Sequence, residues 1–113
     1  VKQKKTVNTV YLVHWPEINV MKAGYSKRRR WWSFQRRGAV VVDLIHFDDF
    51  SDASAFESVV LAGLRSRGKL AFKSAAEAEP YLGGRGGGWL ECYRIPEDLD
   101  PMELLRSIDW MSL

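Results

Sequence analysis

The sequence predicts an α/β (α+β) domain, a small central antiparallel β-sheet flanked by helices, and three observations carry that prediction. Short runs of alternating or β-branched residues recur in the first half of the chain, each ended by Pro, Gly or Asp. Longer segments with four-residue apolar spacing follow, bounded by Ser or Asp before and Gly after. The whole is 113 residues with 46% apolar content and five tryptophans, enough for one core and too little for two.

Taken in order, 7–14 alternates as a strand, with Val7, Thr9, Tyr11 and Val13 on one face and Val10 and Leu12 on the other. Trp15-Pro16-Glu17 ends it. A second strand is expected over 19–25, so that the two form an antiparallel hairpin with a longish loop. Ser26 reads as the N-cap of a basic helix from Lys27 to Arg37, with Gly38 as its stop. The run 39–47 is the most β-branched in the chain and is expected as the central buried strand. A second helix is expected over 52–67, with Phe56, Val60 and Leu64 turned toward the core and Gly68 ending it. A short helix around 74–78 should stop before Pro80. The glycine-rich stretch 83–88 reads as a mobile loop, and 89–95 as a last strand. Asp100-Pro101 starts an amphipathic helix over about 100–111, with Met102, Leu105 and Ile108 on one stripe. No repeat or linker interrupts this order, so 1–113 is read as one domain.

No apolar run approaches the ~20 residues that cross a bilayer, and no signal peptide is visible, so no membrane partner is expected. A single cysteine, Cys92, has no internal disulfide partner, which favours a reducing, cytoplasmic setting. The net charge of +3 conceals a strong asymmetry. Residues 1–37 hold ten Lys/Arg against Glu17 alone, a net of +9, and the remainder of the chain carries a net of −6. Lys27, Arg28, Arg29, Arg30, Arg36 and Arg37, interleaved with Trp31, Trp32 and Phe34, suit phosphate contacts together with base or sugar stacking, which makes nucleic acid the favoured partner. A solvated basic helix face is the bland alternative.

Several signals bear on chemistry. Tyr11, Lys22 and the Arg28–Arg30 run supply a hydroxyl, an amine and guanidinium groups; brought close, they suit displacement at a phosphate. Glu57 borders the apolar stripe of its helix, beside Ala53, Val60 and Leu61, where a carboxylate needs a partner. Mg²⁺ is one partner, and a salt bridge to an arginine of the first helix is the other. Gly84-Arg85-Gly86 lacks the Lys-Ser/Thr of a nucleotide loop, so Arg85 is read as a phosphate contact on a flexible turn. His14 and His46 read as structural, and Asp48, Asp49 and Asp52 as turn and capping residues.

In order, Thr9-Val10-Tyr11, Lys22-Ala23-Gly24-Tyr25-Ser26, Arg30-Trp31, Ala55-Phe56-Glu57 and Gly88-Trp89-Leu90-Glu91-Cys92 resemble the GIY-YIG nuclease superfamily over roughly 7–95. Tyr11 matches the tyrosine of the first motif and Gly24 the glycine of the second. Lys22 stands at a tyrosine position, as in a branch that includes phage proteins and some restriction enzymes. Arg30 is the better match for the first-helix arginine, with Arg29 the other candidate, and Glu57 matches the metal-binding glutamate. Thr9 replaces the first glycine, and the late asparagine has no counterpart, since the only asparagines are Asn8 and Asn19.

The resemblance implies a metal-dependent DNA endonuclease that hydrolyses phosphodiester bonds by one-metal, in-line attack of water. Glu57 would hold Mg²⁺ or Mn²⁺, Tyr11 would orient or deprotonate the water, Arg30 would bind the scissile phosphate, and Lys22, when neutral, would relay the proton. Duplex, nicked or branched DNA is the expected partner, with specificity supplied by the loops, a homodimer or another protein. The missing asparagine motivates the alternative of a non-cleaving DNA-binding module with a degenerate nuclease fold.

Overall fold

A computed structural model describes residues 7–107. Its centre is a five-stranded antiparallel sheet built from β1 (Asn8–Trp15), β2 (Val20–Ser26), β3 (Val40–Phe47), β4 (Lys69–Leu70) and β5 (Cys92–Arg94), in the order β3-β1-β2-β5-β4. Four helices accompany it: α1 (Trp31–Gln35), α2 (Phe50–Arg67), α3 (Ala75–Leu82) and α4 (Pro101–Ser107). The expected α+β class, with an antiparallel sheet and flanking helices, is therefore present.

The alternation of β1 and β2 divides the interior into two cores. Tyr11, Val13 and Trp15 point to one side, where Val20, Trp31, Phe34, Ala78 and Leu82 join them from β2, α1 and α3. Leu12 points to the other, with Met21 and Ala23 of β2, Val60 and Leu64 of α2, and Leu104 and Leu105 of α4. A strand covered on both faces reads as an unbroken apolar run, and Val10 to Val13 is that run. None of these helices is long and apolar enough to cross a membrane.

The central strand is β2, and β1 lies between it and β3. The β-branched run of β3 lies at the sheet edge, with Val40 at 54% exposure and the next five residues only part-covered. β-Branched side chains fit any pleated, half-buried surface, so composition alone did not distinguish edge from centre. The first helix is also shorter than expected. Arg28 N–H donates to Ser26 Oγ at 3.0 Å, a local turn that ends β2 and carries residues 27–30 outside the helix. Arg30 becomes the N-cap, with no side-chain cap bond, and α1 begins at Trp31.

Asp49 caps α2 by accepting from Ser51 N–H at 2.6 Å, earlier than the expected Ser51 or Asp52. Gly68 ends it as expected. Helix α3 starts with Ser74 accepting from Glu77 N–H at 3.2 Å and runs on through Pro80 to Leu82. Proline inside a helix costs ~3 kcal/mol; burial of Ala78 and Leu82 on one stripe, together with the Gly83 N–H to Glu79 carbonyl bond at 2.7 Å, holds that last turn. The 83–88 stretch is folded into a tight 3-10 turn at Gly84–Gly86, with a second at Trp89–Glu91, so the last strand begins only at Cys92. Strand β4 had no counterpart in the sequence reading. On α4, Leu104 and Leu105 are buried, Met102 is 36% exposed, and Ile108 falls outside the described residues.

Gly86 is a fixed point of this packing. Its φ is +79°, and a Cβ there would sit 1.9 Å from the Ala75 carbonyl oxygen. Gly86→Ala is expected to destabilise the fold by ~1–3 kcal/mol, read as a lower denaturation midpoint without change in the slope of the transition.

Candidate functional site

The site forms around a buried lysine. Cross-strand pairing sets Tyr11 opposite Gly24, with Lys22 two residues away on the same face of β2. A Cβ at Gly24 would meet Tyr11 Oη at 2.2 Å and Cζ at 2.4 Å, so the absent side chain is what lets the tyrosine ring lie across β2. Trp31 and Phe34 of α1 hold the ring from behind, with centroids at 6.2 and 5.7 Å. Thus positioned, Tyr11 Oη accepts a hydrogen bond from Lys22 Nζ at 2.9 Å.

Lys22 is 1% exposed, and its charge is met from the opposite side by Glu91 Oε1, also at 2.9 Å, whose side chain is 34% exposed. Glu91 is brought there by the β2–β5 ladder, whose last pair is Lys22 with Cys92. Burial alone would lower the lysine pKa, yet the phenol and the carboxylate outweigh it, and the amine is held above the ordinary lysine value. Lys22 is therefore a fixed ammonium donor in this state. The expected proton-relay role, which needs a neutral amine, does not fit this environment. Tyr11 is itself shifted upward, chiefly by burial, with Lys22 and Arg30 pulling the other way, so its phenol is protonated near neutrality.

Glu57 approaches from α2. Its carboxyl is raised above the usual glutamate range, first by partial burial and then by the charge of Glu91, with Lys22 offsetting part of the shift. Among the described residues no arginine pairs with it, so the salt bridge to the first helix does not form. Glu57 feels the charges of both Glu91 and Lys22, so two carboxylates and one ammonium share one neighbourhood. Mg²⁺ and Mn²⁺ suit such a set, since these ions take one or two carboxylates and keep several waters. Among the described residues there is no cage of three or more His, Cys, Asp or Glu.

The arginines separate. Arg30 lies close enough to act on the Tyr11 phenol, and its Nη2 would stand 3.9 Å from a Cβ at Gly87. Arg29 turns instead onto Trp32, with its guanidinium 4.6 Å from the ring centroid. Lys27 and Arg28 are exposed beside them. Trp31, expected to contact DNA, is 8% exposed and belongs to the core, whereas Trp32 is 47% exposed. Because α1 starts at Trp31, the 100° step per residue sends the second tryptophan outward. Arg36 and Arg37 sit at the far end of α1. Arg37 Nη1 donates to the Pro80 carbonyl at 3.3 Å, and its own carbonyl accepts from Trp15 Nε1 at 3.2 Å. Arg85 is exposed in the glycine-rich turn, in a cavity of about 600 Å³ that Glu91 also lines.

Glu91 is the functional candidate that sequence reasoning missed. It stood within the Gly88–Cys92 motif, but its partner lies 69 positions away, and only the strand register reveals the pairing. The remaining candidates behave structurally: His14 bonds Asn19 at 3.0 Å, His46 bonds Thr9 at 2.8 Å, and burial pushes the Cys92 thiol up to about 12. Compared with known proteins, the chain matches no family model, no curated protein and no solved structure.

Proposed function

We propose that the protein is a GIY-YIG-type, metal-dependent DNA endonuclease that hydrolyses phosphodiester bonds. The observation that carries this reading is the convergence of Tyr11, Lys22, Arg30 and Glu57, from two strands, a turn and a helix, on one cluster tied by the Lys22 to Tyr11 bond. A hydroxyl, an ammonium and a part-buried carboxylate beside an exposed guanidinium suit phosphate displacement, and the placements of Lys22 and Glu57 are ones that stability alone does not call for.

Glu57 would hold a divalent cation, which supplies stabilisation of charge on the leaving oxygen. Arg30 neutralises the phosphate oxygens. Lys22 donates to Tyr11 Oη, which orients the phenol and stabilises its anionic form. The Tyr11 phenol, protonated near neutrality, orients the attacking water, whose proton passes to solvent. In this scheme Lys22 favours the anionic phenol and accepts no proton itself. Arg30→Ala is expected to lower plasmid nicking ~10²–10³-fold, while Arg29→Ala weakens DNA binding with a much smaller effect on turnover at saturating DNA. Wild-type nicking by Arg30→Ala would remove the phosphate-binding role; a DNA-binding assay run alongside separates the two arginines.

A further inference from the structure

Between the end of β2 and the start of α1 lies a groove of about 750 Å³, lined by residues 25–30 and Trp32. We propose that it seats a single unpaired nucleobase, so that the preferred DNA carries a displaced or single-stranded nucleotide beside the bond that is cut; the cutting rests on the nuclease reading, the seat does not. Trp32 gives the groove its aromatic surface, and Arg29 braces that ring while leaving the residue 47% exposed. The Tyr25 wall is held in place by its hydroxyl donating to Asn8 Oδ1 and by edge contact with Phe50 at 5.0 Å.

The charges around the groove choose the occupant. Lys27, Arg28, Arg29 and Arg30 line it and, among the described residues, no carboxylate does, so an apolar ring arrives best with anionic groups on either side. A nucleotide has that form. Within a duplex the faces of a base are already stacked, whereas an unpaired base offers its face to an aromatic side chain. Arg30 belongs both to the groove and to the surroundings of Tyr11, which sets the seated base next to the phosphate that Arg30 would bind.

The test is run in EDTA, so that no strand is cut. Fluorescence anisotropy compares three labelled DNAs of equal length: a perfect duplex, the same duplex with one bulged base, and a single strand. Wild type is expected to bind the bulged and single-stranded forms about tenfold more tightly than the duplex, the size of one base–aromatic stack. Trp32→Ala should lose that preference with less than about a twofold change on perfect duplex, and Trp32→Phe should keep most of it. Equal affinity of wild type for all three DNAs, or a preference untouched by Trp32→Ala, overturns the proposal. So does a Trp32→Ala protein that changes only its sedimentation, which would make the groove a contact between two copies. Preference without nicking in Mg²⁺ would defeat the nuclease reading alone, and nicking without preference would defeat the base seat alone.

Discussion

Glu57→Gln is expected to reduce metal-dependent nicking at least about a hundredfold, beyond the 10- to 100-fold typical of losing an outer partner of a metal ligand, without lowering the melting temperature of the metal-free protein. The two halves of that expectation come from one fact. The Glu57 carboxyl is raised by burial and by Glu91, so the folded chain binds its proton more tightly than the unfolded chain does. With a raised folded pKa, the stability contributed is present at low pH and lost as pH rises through the titration of Glu57. Glutamine keeps the shape and removes the charge, so the variant should lack that loss and melt at or above wild type near neutrality. Added Mg²⁺ should raise the melting temperature of wild type and leave Glu57→Gln unchanged. A variant that melts well below wild type would show Glu57 to be a structural carboxylate.

Gly24→Ala should be nearly as damaging to activity, for a steric reason. The new Cβ would fall 2.2 Å from Tyr11 Oη and 2.4 Å from Cζ, and the ring has Trp31 and Phe34 behind it. Either the phenol leaves Lys22 or β2 shifts away from β1. The first leaves a 1%-exposed ammonium with one fewer acceptor; the second disturbs the ladder that presents Lys22 to Glu91. Overpacking of this kind costs ~1–3 kcal/mol of stability, and a misplacement of about 1 Å in a reacting group costs ~10²-fold in rate. Nicking by folded Gly24→Ala is therefore expected to drop about a hundredfold, with a melting temperature several degrees lower. A double-mutant cycle with Tyr11→Phe checks the cause: the losses should be far from additive, because both changes remove the same phenol from the same place.

What the sequence disclosed divides by the range of the interactions involved. Strands β1 and β2, the Gly68 stop and the Phe56, Val60 and Leu64 stripe rest on local alternation and capping, and those features were legible. The edge position of β3 was not, because strand order depends on which neighbours pair, and β1 and β2 both lie inside it. Whether Trp31 or Trp32 faced outward turned on where α1 starts, and with the Ser26 side chain bonded to the Arg28 backbone that start lies at Trp31, four residues beyond Lys27. At the site, Tyr11, Lys22, Arg30 and Glu57 were all identified from the chain, and each stands near the same cluster. Glu91 carried no local mark of its role. Its presence changes the chemistry assigned to Lys22, from a base that must lose its proton to an ammonium that keeps it.

The central claim is that this cluster cuts DNA, and supercoiled plasmid tests it most directly. Incubation with wild-type protein and Mg²⁺ or Mn²⁺ should convert the plasmid to the nicked form, with EDTA and Glu57→Gln each stopping the conversion. Plasmid left intact by wild type with either metal, or nicked equally by Glu57→Gln, would contradict it.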